Sequence, residues 1–581
     1  MKYSIFAFLS LTIALLILVS CNGNASGPIG RSGNKEISRS LFARHYPDFT
    51  PKAFHDFFKD EVQSDSELFP LYQSTAYTPL WMQDTLNTKN LHELTIILKN
   101  ADRHGLPSDL FPVYRISLML DSIDIGLYPA DSLHHKILSL ERLASKVAIR
   151  YIEGMNYGFV KPKQLFGEDY DIDLAEPDSL FWSDVYARLK ENPIQAILNS
   201  HPTDSVYTYL QNEYKSLADK GFDLKKVNME GTTYKLGNKS KHISEIAARL
   251  IQTGEYIPDP AKEDSLHMEL DEELLDAVNR FRSKISYPEE KEVGQITIDA
   301  LNRPFDYYKD KISANMERHR WRKIKTRHNK HIEVNVAASM LAATEPDSVP
   351  MIMRVCVGSV KNKTPLLESN LSYLNLNPVW NVPKSITRKE VVLLQKKDTS
   401  YIRRKNMKIF KGAEEIDPAS IDWVETKANT FPYIIRQDPG EGNSLGLIKF
   451  IFNNAHAVYL HDTPMKSAFN RKNRAVSHGC VRVQKPFDLA FFCTNPSSEI
   501  YKDQLLHSVK RYPISKEGRK LLKEDNLKKL PDTILIKSNN KISLAIDYYT
   551  AFMYPDDTTL YYADDIYDYD KIILDALRRE L

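Results

Sequence analysis

The run Ser477-His478-Gly479-Cys480-Val481-Arg482 constrains this chain more than any other stretch, together with His461 in Tyr459-Leu460-His461-Asp462-Thr463-Pro464. A thiol with its ordinary pKa of about 8.5 is a weak nucleophile until a basic or cationic neighbour helps it become thiolate. Cys480 is therefore a candidate nucleophile, and His461, nineteen positions earlier, its candidate general base. Any fold that uses them must bring the two segments side by side. Gly479 adds no side chain beside the thiol, so main-chain N–H groups around Gly479 and Cys480 are candidates to hold the oxyanion that follows attack.

From Asn443-Ser444-Leu445-Gly446 to Val483 the sequence resembles the active site of bacterial L,D-transpeptidases, which cross-link peptidoglycan. The resemblance implies that Cys480 attacks a tetrapeptide stem at its third residue, releases D-alanine and holds the remainder as a thioester. A side-chain amine of a second stem then resolves it into a 3→3 cross-link. It implies no cofactor, and a stable thioester with carbapenems. Ser477, His478 and Gly479 would shape the active-site loop, with Ser477 a hydrogen-bonding residue rather than a second nucleophile. Arg482 either orders that loop or meets a substrate carboxylate. Tyr459, Trp380 and Asn443 are candidates for gripping the donor stem, Trp380 being equally well read as a core anchor. His461 is expected to be oriented by a backbone carbonyl rather than by the Asp462 side chain. The same acyl-enzyme would serve an L,D-carboxypeptidase or endopeptidase, with water in place of the amine. A lipid-anchored wall-binding protein with a vestigial catalytic domain is the reading from another class.

Met1-Lys2 and the apolar run Ile5–Val19 form a signal-like segment too short for an ordinary membrane-spanning helix. It ends in Leu18-Val19-Ser20-Cys21, which resembles a bacterial lipobox, so residues 1–21 read as a lipoprotein signal with Cys21 lipidated. Residues 22–44 begin with a Gly/Asn/Ser-rich stretch and read as a flexible tether; about 20 such residues span roughly 25 Å. The expected setting is the cell envelope, anchored to a membrane and facing the periplasm.

Composition narrows the partners. A net charge of +2 on 581 residues leaves no electrostatic footprint for nucleic acid. Of four cysteines, Cys356 and Cys493 read as buried core thiols. His328 and His331 lack a third ligand, so no metal site is expected.

The fold class expected is α+β and multidomain. Residues 45–231 carry helical periodicity, as in Leu91–Ala101 and Leu138–Tyr157. Pro79-Leu80-Trp81, His104-Gly105-Leu106 and Asn156-Tyr157-Gly158 resemble the helical scaffold domain of larger L,D-transpeptidases. Residues 232–304 resemble a small three-helix peptidoglycan-binding domain, with Leu274, Ala277, Val278 and Phe281 at helical spacing. Glu290-Lys291 departs from that family's pattern, leaving spacer and glycan-binding readings open. Residues 305–330 read as a connecting helix. From 331 the period becomes that of strands, in Ile332–Val336 and Met351–Val357, opening a mainly β catalytic domain over 331–500. A capping insertion is expected at about 377–436. Residues 501–581 read as an extension completing the catalytic module, with Leu544–Phe552 as a strand.

Overall fold

The computed structural model describes residues 45–82, 88–219, 225–258, 268–321, 323, 328–496 and 498–579. Cys21, the signal-like segment and the tether lie outside the described residues. Among those described, no helix is long and apolar enough to cross a membrane. The chain divides into two compact units, residues 1–95 with 114–146, and residues 96–113 with 147–581.

The first unit is helical and is organised around a buried carboxyl group. Glu141 is inaccessible to solvent and accepts hydrogen bonds from the Trp81 N–H, the Leu80 N–H and the Tyr72 hydroxyl, the last at 2.9 Å. Ser145, one turn later, binds Trp81 Nε1 at 2.9 Å and the Tyr72 hydroxyl. The Pro79-Leu80-Trp81 segment is therefore held by its main chain as well as by its indole. Burial raises the Glu141 pKa to about 7, and those donors limit the rise.

In the second unit, the described part of residues 225–302 contributes helices Lys241–Thr253, Glu272–Lys284 and Gln295–Leu301, and an antiparallel pair of short strands, Thr233–Lys235 with Glu292–Gly294. These pack around one core that includes Leu274, Ala277, Val278 and Phe281. Helix Phe305–Arg320 follows, and it is no exposed connector. Every residue from Lys311 to Arg318 is buried, and it packs against helices Ser205–Asp219 and Tyr569–Arg579. Its Glu317 accepts from the Phe159 and Val160 N–H groups, Trp321 Nε1 and Arg320. Gly158, at φ +86°, sits so close that a Cβ there would lie 2.3 Å from the Trp321 ring. Lys311 and Arg318 both pair with the buried Asp570, and Arg320 pairs with the buried Glu317.

The catalytic sheet uses strands β1 (Lys330–Asn335), β2 (Met340–Thr344), β3 (Met351–Gly358), β4 (Leu366–Leu376), β5 (Ile448–Phe452) and β6 (Leu460–His461). To these it adds β7 (Ala475–Ser477), β8 (Val481–Val483) and β9 (Ile542–Asp547). Eight of them close a ring in the order β4-β5-β6-β8-β3-β2-β1-β9, with β9 pairing back to β4, while β7 lies outside the ring on β3. β9 runs parallel to β1 and antiparallel to β4, and all six of its residues are buried. The C-terminal segment thus supplies an interior strand of the catalytic domain. The strand expected over Leu544–Phe552 breaks after Asp547. There Thr550 leaves the sheet to bond Asn315 and Asp570, before a short second strand at Ala551–Phe552. A further strand, Thr533–Leu535, adds to β4.

The segment from Trp380 to Gln437 forms a lobe with its own four-stranded sheet, Glu414–Ile416, Met407–Lys411, Ile434–Gln437 and Trp380–Asn381 in that order. Val391, Val392, Ile402, Ile409 and Ile435 are among its core residues.

Two consequences are measurable. The Glu141 carboxyl has a folded pKa above its unfolded one, so its contribution is complete below about pH 4.5 and is lost as pH rises through about 7. Melting of the first unit should therefore lose roughly 3 kcal/mol of stability from pH 4.5 to 8 through this group, and Glu141→Gln should flatten that slope. An unchanged slope in the variant would refute the assignment. Truncation after residue 501 should leave the facing edges of β1 and β4 unpaired and yield aggregated rather than monomeric protein on gel filtration.

Candidate active site

β6 and β8 are parallel neighbours, with Leu460 opposite Val481 and His461 opposite Arg482. In-register residues of parallel strands point to the same face. Leu460 and Val481 are fully buried. The intervening positions, Tyr459 and His461 on one strand and Cys480 and Arg482 on the other, share the opposite face. The Val481 N–H donates to the Tyr459 carbonyl at 3.1 Å, extending the pairing to the nucleophile. Tyr459 and His461 rings meet edge-on, 5.7 Å between centroids. The Tyr459 hydroxyl lies near enough to the Cys480 sulfur for the two groups to shift each other's ionisation.

His461 is 5 % exposed, and its Nδ1 hydrogen-bonds the Asp462 carbonyl oxygen. A carbonyl only accepts, so Nδ1 carries the proton and Nε2 is left as the base. Burial first, and then the Arg482 charge, lower its pKa to about 3. The imidazole is neutral at physiological pH. The Asp462 carboxylate is used elsewhere, accepting from the Leu447 and Thr463 N–H groups and from Lys466.

Burial pushes the Cys480 thiol up, while the Tyr459 main chain and hydroxyl and the charges of Lys449 and Arg482 pull it down. Lys449 escapes a reading of the linear sequence. It lies on β5 directly opposite His461, with its Nζ 3.8 Å from the centre of the Tyr459 ring. Burial lowers its own pKa, and the sulfur opposes that. The alternation of Ile448–Phe452 exposes it to view only once the pairing of β5 with β6 is known.

The loop before Cys480 is built by its small residues. Ser477 Oγ accepts from the Gly479 N–H at 3.1 Å and donates to the Cys480 carbonyl at 2.6 Å. Gly479 takes φ +112°, a conformation that only glycine adopts freely. Its carbonyl accepts from Thr364 Oγ1 at 2.8 Å, and Thr364 in turn accepts from the Gly358 N–H. The Tyr567 hydroxyl donates to the Gly358 carbonyl at 2.6 Å and accepts from the Thr364 N–H. Because the Gly479 N–H is already spent on Ser477, the expectation that it serves the oxyanion is corrected. Among the described residues, the Cys480 N–H beside the thiol makes no hydrogen bond within the chain.

The other expected residues are distributed differently. His478 turns outward, and its Nε2 pairs with Glu390 of the lobe. Arg482 has a buried Nε with no hydrogen-bond partner, and no carboxylate pairs with it among the described residues. Trp380 packs against the lobe core. Asn443 is 2 % exposed; its amide donates to the Pro378, Gln437 and Asp438 carbonyls and accepts from the Leu445 N–H. Its hydrogen bonds are taken up in bracing the loop, which corrects the stem-gripping expectation. Cys356 and Cys493 are buried free thiols, both pushed up by burial. Among the described residues no cluster of His, Cys, Asp or Glu could hold a metal.

Residues 329–501 match the YkuD family, an L,D-transpeptidase catalytic domain, and residues 66–213 match a scaffold domain. A Haemophilus influenzae protein provisionally named an L,D-transpeptidase is 39 % identical over 198 residues. That match covers 34 % of this chain and 40 % of the relative. The chain thus spans less than half the length of the curated relative it matches.

The electrostatics set the pH behaviour. Iodoacetamide labelling of Cys480 should rise steadily toward alkaline pH, with no inflection near 6.5, because His461 is already neutral there. Lys449→Met should move that profile upward by about half to one pH unit, since a cation favouring thiolate is gone. A profile unmoved by the substitution would show that Lys449 does not act on the sulfur.

Proposed function

We propose that this chain, which carries an L,D-transpeptidase catalytic domain and a scaffold domain, forms 3→3 peptidoglycan cross-links through a thioester on Cys480. The observation that supports it most is the single face shared by Tyr459, His461, Cys480 and Arg482. The donor is a tetrapeptide stem. Sγ bonds to the carbonyl carbon of its third residue while its proton passes to His461 Nε2. A thiol raised by burial and an imidazole lowered by burial disfavour a resting ion pair, so proton transfer accompanies attack rather than preceding it. The oxyanion is held by the Cys480 N–H. Its collapse breaks the C–N bond to D-alanine, whose amine takes the proton back from His461. The second stem's amine then attacks the thioester, His461 accepts its proton, and the sulfur leaves and is reprotonated.

Arg482 is a planar donor on the face that carries Cys480 and His461, suited to a stem carboxylate. The Glu390–His478 pair ties the lobe to the loop beside the nucleophile. A lobe held there shields the thioester from water and favours an amine acceptor over hydrolysis. We place the protein in the cell envelope, anchored to a membrane through a lipid on Cys21, with stem peptides as donor and acceptor.

Muropeptide mass spectrometry on purified protein with tetrapeptide-bearing substrate tests the reading. Wild type should give 3→3 dimers and free D-alanine, Cys480→Ala neither, and His461→Ala should be slower by roughly 10²–10⁴. A carbapenem should add once per chain, on the Cys480 peptide. Tripeptides without dimers would identify a carboxypeptidase, and turnover surviving in Cys480→Ala would exclude the nucleophile.

A further inference from the structure

The carbonyl of Gly479 and the N–H of Cys480 belong to one planar trans peptide group, so they point in opposite directions. Whatever fixes the carbonyl therefore aims the N–H. Here it is fixed by Thr364, in the turn between β3 and β4, whose Oγ1 donates to it at 2.8 Å. Thr364 is inaccessible to solvent. On the far side of the same peptide, the Cys480 N–H is left for a substrate oxygen.

The hydrogen bonds behind Thr364 admit one arrangement of protons. The Gly358 N–H can only donate, and it does so to Thr364 Oγ1 at 2.8 Å. The hydroxyl proton is then free for the Gly479 carbonyl, which can only accept. Tyr567, also buried, closes the other side of the pair. Its hydroxyl donates to the Gly358 carbonyl at 2.6 Å and accepts from the Thr364 N–H at 3.1 Å. Tyr567 is itself held, its N–H donating to the Tyr548 hydroxyl at 3.0 Å. One residue before Thr364, Lys363 pairs with Asp169 at 3.3 Å, and the Tyr569 hydroxyl donates to the same carboxylate at 3.1 Å. Asp169 lies in the stretch that matches the scaffold domain, and Tyr567 and Tyr569 lie beyond the catalytic match. Segments on both sides of that match thus converge on the turn that carries Thr364.

We infer, resting on the function proposed above, that Thr364 and Tyr567 are positioning residues for the oxyanion donor. They hold the Gly479–Cys480 peptide so that the Cys480 N–H faces the oxygen of the tetrahedral intermediate. Two physical effects act through that peptide. The first is orientation: Gly479, at φ +112°, brings no side chain of its own to restrict the plane, so outside hydrogen bonds must do it. The second is polarisation. A carbonyl that accepts a hydrogen bond draws electron density from its amide nitrogen, and the N–H opposite becomes a stronger donor. A donor aimed in this way gains most in the transition state, where charge collects on the oxygen. Its loss is therefore felt in rate rather than in binding. The thiol is a separate matter, since its ionisation is governed by burial, Tyr459, Lys449 and Arg482. A reagent that forms no oxyanion should not sense Thr364 or Tyr567.

Two reagents applied to the full chain, each read by mass spectrometry on the Cys480 peptide, separate the effects. Iodoacetamide is attacked at an alkyl carbon and loses iodide, so no oxyanion forms. A carbapenem is attacked at its lactam carbonyl and passes through one. Thr364→Val should lower the limiting rate of carbapenem acylation about 10- to 100-fold, short of the roughly 10²–10³ for losing an oxyanion donor outright. The carbapenem concentration giving half that rate, and the iodoacetamide rate, should stay within about twofold of wild type. Tyr567→Phe should act in the same sense. Thr364→Ser keeps the hydroxyl and should stay near wild type, which guards against a variant that merely folds badly; circular dichroism checks all three. Equal acylation by wild type and Thr364→Val overturns this inference and leaves the nucleophile standing. So does an equal fall in acylation and alkylation, which would mark a disturbed loop, or a Thr364→Ser variant as slow as Thr364→Val. Wild type that is alkylated but never acylated overturns the proposed function and this inference together.

Discussion

The parallel register of β6 and β8 is the constraint on which the site depends. A slip of one residue between them would send His461 and Cys480 to opposite faces, because side chains alternate with period two. Nothing within the two short strands enforces that register. It is imposed by their outer neighbours, β5 beside β6 and β3 beside β8, and by the burial of Leu460 and Val481. Two- and three-residue strands have little pairing energy of their own, so the ring must hold them.

That ring is closed by a strand that arrives late in the chain. β9 fills the gap between β1 and β4, and Tyr567, further on, binds both Gly358 and Thr364 behind the catalytic loop. Helix Phe305–Arg320 connects this end of the chain to the helical region: Asn315 bonds Thr550, Arg318 pairs with Asp570, and Glu317 holds Phe159 and Val160. The catalytic match over residues 329–501 therefore covers the reacting groups but not everything that supports them.

Electrostatically the site keeps its reactants neutral. Desolvation acts in opposite directions on an acid and a base, raising Cys480 and lowering His461, and so separates two groups whose ordinary values lie closer together. Lys449 and Arg482 restore part of the thiolate's stability without a direct proton exchange. Such an arrangement guards a reactive thiol against adventitious oxidation, since thiolate is the oxidisable form.

The sequence by itself determined the candidate reacting pair, the change from helical to strand periodicity near 331, and the core of the three-helix region, since each rests on local residue types or on spacing within one element. Gly479 and Ser477 were legible for the same reason, one through its missing side chain and the other through its short hydroxyl. Only the tertiary structure decided which donor remains for the oxyanion, because the Gly479 N–H is consumed by a bond that no motif records. It also moved Asn443 from the substrate to the loop's interior and His478 outward to Glu390, and brought Lys449 beside the thiol. Those outcomes depend on partners from 2 to 88 positions away in the chain. Strand pairing and burial set them, and one-dimensional periodicity carries no information about which strand lies next to which.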